Sequence, residues 1–203
     1  MNEPEIQFPV IAITGNRDYA DRAALLKGLD GLRADKYLLG GARGVDTDAL
    51  QYLARTQPFS QRVVVVPNTL ADQPAATIPI TSRNASQIIE LRNVGSDRYM
   101  IRNRYLVDNS DYLKAFTDLR GSGGTYNTIE YAKSTGRNYS LTVLLEQDLN
   151  KYLELSDGAF RLFMDQARAN GVPLSAVKGI ITSYFYAKRG YIPDDVVALL
   201  QRW

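Results

Sequence analysis

The sequence predicts a doubly wound α/β domain with a mostly parallel sheet, followed by a small helical appendage. Three observations carry that reading. From residue 8 to residue 145, short unbroken apolar runs alternate with segments of helical periodicity, the pattern of strands covered on both faces by helices. Glycine-rich or arginine-bearing turns follow several of the runs, where an open α/β sheet presents backbone N–H groups to ligands. Beyond Glu146 the strand signals stop and three helical stretches take their place. The two parts are therefore expected at 1–147 and 148–203.

Phe8 to Thr14 is a continuous apolar run that ends at Gly15. Asp21 to Arg33 then sets Ala24, Leu25, Leu29 and Leu32 on one helical stripe, and Tyr37 to Leu39 follows as a short strand running into Gly40 and Gly41. Asp46 to Thr56 reads as the next helix, and Arg62 to Val66 as a β-branched strand of central character closed by Pro67. Between Asn68 and Asp97 the periodicity weakens under Pro74, Pro79 and several Ser, Thr and Asn, and the only element expected there is a short helix over Gln87 to Leu91. Order returns with a helix from Tyr99 to Asn109, a strand from Tyr112 to Phe116, a helix from Thr125 to Ser134 and a strand from Tyr139 to Leu145. In the tail, helices are expected over Asp157 to Asn170, Leu174 to Lys188 and Asp194 to Gln201, punctuated by Gly171-Val172-Pro173 and by Gly190 to Pro193. Their apolar residues Phe160, Phe163, Met164, Val177, Ile180, Ile181, Tyr184 and Phe185 read as core rather than as a binding stripe.

Composition narrows the chemistry. The 203 residues are 45% hydrophobic and 23% charged, as in an ordinary globular chain, and a net charge of +2 is too small to draw a nucleic acid or a membrane by bulk electrostatics. Any anion site must be local. The chain contains no Cys and no His, which excludes disulfides, thiolate nucleophiles, Ser-His-Asp and Cys-His arrangements, Cys/His zinc sites and imidazole acid–base work. Carboxylates, hydroxyls, Arg, Lys and backbone amides are left, and neither a metal nor a cofactor is expected. No run approaches the roughly 18 apolar residues of a membrane span, and Met1 to Glu5 is acidic where a secretion signal is basic, so a cytoplasmic protein with no membrane partner is expected.

Three motifs fall at strand ends: Thr14-Gly15-Asn16-Arg17, Gly40-Gly41-Ala42-Arg43-Gly44-Val45-Asp46, and Gly121 to Thr128 ahead of a helix capped by Gly124 or Thr125. Glycine lets a phosphate approach the main chain, and Thr125 and Thr128 bring hydroxyl donors near a positive helix end. None of the three is a G-x-G-x-x-G or a lysine-bearing phosphate loop, so neither dinucleotide binding of that type nor P-loop ATP hydrolysis is implied. A fourth feature is the helix carrying Arg98, Arg102, Asn103 and Arg104. Arg98 and Arg102, four residues apart, share a face, whereas Arg104 lies roughly 200° round from Arg102. The order helix, strand, Gly-rich loop brings Arg102 beside the third motif.

Taken together, these motifs resemble the SLOG superfamily, the Rossmann-like fold shared by DNA-processing protein A, the Lonely Guy phosphoribohydrolases and the YspA-type proteins. The resemblance covers about residues 8 to 145 and is strongest in Gly40 to Asp46, close to the family's G-G-A-R-G-x-D; Thr14 to Arg17, Arg102-Asn103 before Asp111, and Gly123-Gly124-Thr125 with Thr128, Ile129 and Ala132 supply the rest. It implies a nucleotide or phosphoribosyl site formed by Gly15, Asn16, Arg17, Gly40, Gly41, Arg43, Gly44, Arg98, Asn103, Gly123, Gly124, Thr125 and Thr128. It also implies a tendency to homo-oligomerise.

Within the superfamily, three readings stay open. The phosphoribohydrolases cut an N-glycosidic bond with an Arg, matched here by Arg102, and a Glu of P-G-G-x-G-T-x-x-E, whose slot holds Thr128 in this chain. Glu130 lies two residues later, and Asp46, Asp48 and Asp111 are the other carboxylates near the motifs, so Arg102, Glu130 and Asp46 are the catalytic candidates if the bond is cut. A receptor that senses a nucleotide without turning it over is the second reading. The third is single-stranded DNA binding of the DNA-processing type, with Tyr19, Tyr99, Tyr105 and Tyr126 available to stack on bases.

Overall fold

A computed structural model describes residues 5–203; Met1 to Pro4, on which much of the N-terminal reading rests, lie outside the described residues. Its first elements are β1 (Ile6–Gln7), β2 (Val10–Gly15), α1 (Arg22–Asp30), β3 (Leu32–Arg33), β4 (Lys36–Leu39), α2 (Val45–Thr56) and β5 (Gln61–Val66). Next come α3 (Ile78–Asn84), β6 (Gln87–Glu90), α4 (Arg98–Asp108), β7 (Tyr112–Thr117), α5 (Gly123–Ser134) and β8 (Asn138–Val143). The helices α6 (Asp157–Ala169), α7 (Leu174–Arg189) and α8 (Asp194–Gln201) complete the chain. Two compact units divide these elements, one of Met1–Asp118 with Ser122–Leu145 and the other of Leu119–Gly121 with Glu146–Trp203.

In the first unit, six strands form an all-parallel sheet in the order β6-β5-β4-β2-β7-β8, and β1 and β3 pair separately. Side chains of successive strand residues point to opposite faces. Ile11 and Ile13 of β2 accordingly join one apolar layer with Leu25 and Leu29 of α1 and Val45, Leu50 and Leu53 of α2, while Ala12 joins another with Leu106 and Val107 of α4 and Ala132 of α5. Helices thus cover both faces, and the fold is Rossmann-like and doubly wound. The chain winds outward from β2 through β4 and β5 to β6, then crosses back to β7 on the other side of β2. The carboxyl ends of β2, β4 and β7 therefore flank the place where the winding reverses, the usual seat of a ligand in such sheets.

The weakly patterned segment departs from expectation. Gln87 to Glu90 is strand β6, not a helix: Ile88 pairs with Val64 and Ile89 with Val65, and each packs into a different apolar layer. A four-residue apolar run carries too few positions to separate the two periods, and pairing with a central β-branched strand decides it. The same segment holds a 3-10 turn at Leu70–Asp72 and the helix α3, neither foreseen from the sequence. At the Gly-rich loop, Ser122 in extended conformation is the cap residue, and Gly123 and Gly124 are already the first residues of α5.

The second unit has its own core. Phe160, Phe163, Met164, Val177, Ile180, Ile181, Tyr184 and Phe185 are all buried, and the Phe160 and Tyr184 rings stack at 3.7 Å between centroids. Tyr184 donates to Asp157 Oδ1 at 2.7 Å, and Arg189 pairs with the same carboxylate at 2.6 Å. The buried Glu146 carboxylate is met by Arg120 at 2.9 Å and by Lys151 at 3.3 Å. No described helix is long and apolar enough to cross a membrane.

Candidate functional site

The first two glycine motifs meet because helix α2 starts directly against the end of β2. Asn16 N–H donates to Phe116 O of β7, and Asn16 O accepts from Val45 N at the start of α2, each at 3.2 Å. A side chain at Gly15 would meet Val45 Cγ1 at 2.5 Å, so only glycine allows this approach. Gly44, the residue before α2, has φ of 81°, and a Cβ there would overlap the Arg17 carbonyl. The backbone of the first motif is therefore pressed against the second.

Arg102 ties these loops to α4. Its Nη1 donates to Gly40 O and stands 3.9 Å from Asp46 Oδ2, and its Nε donates to Asn103 Oδ1 at 2.9 Å. Asn103 Nδ2 in turn donates to Gly124 O at 3.3 Å, and Thr128 Oγ1 donates to the same carbonyl at 2.7 Å. One chain of hydrogen bonds thus runs from the end of β4, through Arg102 and Asn103, to the first turn of α5.

Asp46 and Arg102 are both buried, 6% exposed each. Burial pushes the Asp46 carboxyl above its ordinary value, opposed by the Arg102 charge and by the Ala42 N–H that it accepts at 3.1 Å. Burial also lowers the Arg102 guanidinium, offset by Asp46, although an arginine so placed remains a cation.

Arg102 also lines a recess of about 100 Å³, together with Arg17, Ala42, Arg43, Gln73, Pro74 and Tyr99. Arg43 is paired with Asp18 at 3.0 Å, and Arg102 faces Asp46. The Arg17 charge also lowers the Arg102 guanidinium, after burial, while Asp46 raises it. Asn16, the residue before Arg17, does not line the recess; its amide nitrogen Nδ2 is buried with no hydrogen-bond partner among the described residues. Arginine side chains and an unpaired buried amide at strand ends are the kinds of group that hydrogen-bond oxyanions in proteins.

The structure brings together Gly15, Asn16, Arg17, Gly40, Gly41, Arg43, Gly44, Asp46, Arg102, Asn103 and Gly124 at adjacent strand ends. Gly123 and Thr125 share the first turn of α5 with Gly124, and Thr128 is buried with its hydroxyl turned to the Gly124 carbonyl. Arg98 does not line the recess; its guanidinium lies 5.2 Å over the Tyr99 ring. Glu130 does not line it either and pairs with Lys133 at 2.6 Å. Asp48 accepts from the Tyr19 hydroxyl, and Asp111 accepts Val10 N–H at 2.9 Å, at the opposite end of the sheet from the glycine motifs. Gln73 and Pro74 were missed by sequence reasoning: they sit in the segment without periodicity, and nothing in their own spacing points to Arg102. No family model matches the chain, and no curated protein matches it.

Proposed function

We propose that the first unit binds a nucleotide or phosphoribosyl compound through its phosphate, which sits among Arg17, Arg43 and Arg102. The observation that carries the reading is that these three arginines line one recess beside the sheet's switch point. Two carboxylates, Asp18 and Asp46, stand against the three arginines, which leaves a local charge of about +1. That residue of charge suits one phosphate monoester better than a triphosphate or a track of successive DNA phosphates. The SLOG-like motifs support the same reading, since the glycine turns at the strand ends are those in which that superfamily holds nucleotides.

Binding without turnover fits the surroundings better than hydrolysis. An N-glycosidase needs a carboxylate beside the anomeric carbon. Asp46 is buried against Arg102 and the Ala42 N–H, and Glu130 is paired with Lys133. Calorimetry with ribose 5-phosphate and the nucleoside monophosphates tests the proposal, with release of free base followed in the same mixtures. Wild type is expected to bind, and Arg17→Ala to bind at least tenfold more weakly, about 1.4 kcal/mol. Equal binding by Arg17→Ala would remove the recess as the site, and base release abolished by Asp46→Asn would replace the receptor reading with the hydrolase one.

A further inference from the structure

The amino ends of β2, β4 and β5 form a surface at the opposite end of the sheet from the glycine motifs. Val10, Lys36 and Gln61, the first residues of these three adjacent strands, are aligned in register, and residues so paired project to the same face of a sheet. They line a recess of about 580 Å³ together with residues just before them in the chain, among them Pro9, Asp35 and Phe59. That volume falls within the roughly 300–1,000 Å³ of pockets that take a whole small molecule, so an aromatic side chain is easily accommodated. None of the buried polar atoms left unpaired among the described residues belongs to the recess, and nothing there is set to orient a small polar ligand.

Phe59 is 101% exposed, although the turn that carries it is rigid. Arg62 Nη1 donates to Ser60 O at 2.6 Å and to Gln57 O at 3.2 Å, Arg62 Nε donates to Asn84 O at 2.9 Å, and the Ser60 hydroxyl donates to Ala34 O at 2.7 Å. At the other end of the turn, the Gln57 amide donates to Leu32 O at 2.8 Å and accepts from the Tyr37 hydroxyl at 2.7 Å. The ring cannot be drawn back onto the core without breaking these bonds, so in a lone chain it stays in water. Asp35 and Lys36 add two opposite charges, and neither side chain makes a hydrogen bond or ion pair among the described residues. The charges around them are already engaged: Arg62 by backbone carbonyls, Arg33 by Glu5 at 3.0 Å, and Asp111 by the Val10 N–H at 2.9 Å. The two free charges cancel, which selects against a strongly charged partner.

We propose that this surface binds a second copy of the chain about a twofold axis. In such a contact each residue meets its counterpart's neighbour twice over, so a patch must be complementary to itself. This one is: Asp35 of each copy faces Lys36 of the other, and Phe59 of each copy packs on Pro9 and Val10 of the other. An aromatic anchor held in place before contact loses little freedom on binding, and flanking opposite charges fix the register.

Sedimentation velocity of the full chain from about 1 to about 200 µM is the test, with a dimer expected to grow in through the tens of micromolar. Phe59→Ser should weaken association at least about tenfold. Asp35→Lys alone and Lys36→Asp alone each set like charges against each other and should also weaken it, whereas an equimolar mixture of these two variants, or the double variant Asp35→Lys/Lys36→Asp, should associate as wild type does. Monomer at every concentration overturns the proposal and leaves the surface to a different protein or to water. A dimer indifferent to Phe59→Ser and to the charge reversals overturns it by placing the contact elsewhere. All variants are expected to keep the wild-type urea midpoint at about 1 µM, where the chain is monomeric; a loss in Phe59→Ser would give the ring a role within one chain and overturn the proposal too.

Discussion

Arg102 and Arg17 line the same recess but answer to different forces. Arg102 is held by Gly40 O, Asn103 and Asp46, and with Asp46 it forms a buried pair. Removing one member of such a pair strands the other charge, which typically costs about 3–5 kcal/mol. Arg17 is exposed, and no hydrogen bond or ion pair of its side chain is seen among the described residues. Arg102→Ala is accordingly expected to lower the urea midpoint strongly, with a loss of about 3 kcal/mol, whereas Arg17→Ala stays within about 0.5 kcal/mol of wild type. Equilibrium urea unfolding of the two variants checks this, and similar midpoints would mean that the Arg102–Asp46 pair is not a buried strut. A practical consequence is that Arg17, not Arg102, is the clean probe of anion binding.

At the scale of elements, the site depends on how closely α2 and α4 approach the strand ends. Gly44 combines a positive φ with contact to the Arg17 carbonyl, so alanine there is strained and also pushes the first motif away from α2. Gly179 is the opposite case: it lies inside α7, exposed, and a methyl group added there would have nothing within 4 Å. Gly44→Ala is expected to destabilise by more than about 1 kcal/mol and to weaken phosphate binding. Gly179→Ala should stabilise by about 0.5–1 kcal/mol. Thermal unfolding of both variants is the measurement, and a stability gain in Gly44→Ala would show that the tight β2–α2 junction is not required.

For the whole molecule, the near balance of charge matters as much as the recess. A net charge of +2 over 203 residues gives little long-range pull on a polyanion, and Asp18 and Asp46 interrupt the arginines at the strand ends. Single-stranded DNA affinity falls by about 0.7 log unit per log unit of salt for every phosphate neutralised. A site for one phosphate predicts a slope no steeper than about 1.4 for any oligonucleotide, corresponding to at most two contacts, and weak binding at physiological salt. A titration of fluorescent single-stranded oligomer over a salt series decides the matter; a submicromolar complex with a slope of several units would favour the DNA-binding alternative.

What the amino-acid sequence determined by itself is local. The apolar runs at 8–14 and 62–66, the helical stripe of α1, the helix after Asp46 and the core residues of α6 and α7 follow from short-range periodicity, and glycine at 15, 41 and 44 marks the turns. The absence of His and Cys bounds the chemistry without any coordinates. Tertiary structure alone decided what depends on strand order: that Ile88 and Ile89 form an edge strand, that Asp46 of α2 faces Arg102 of the distant α4, and that Asn103 links Gly124 to the end of β4. It also brought Gln73 and Pro74, from the least patterned segment, into the lining of the recess that holds Arg17, Arg43 and Arg102. Periodicity records which face of an element is buried, but not which distant element buries it, because the partner is chosen by the packing of the whole sheet.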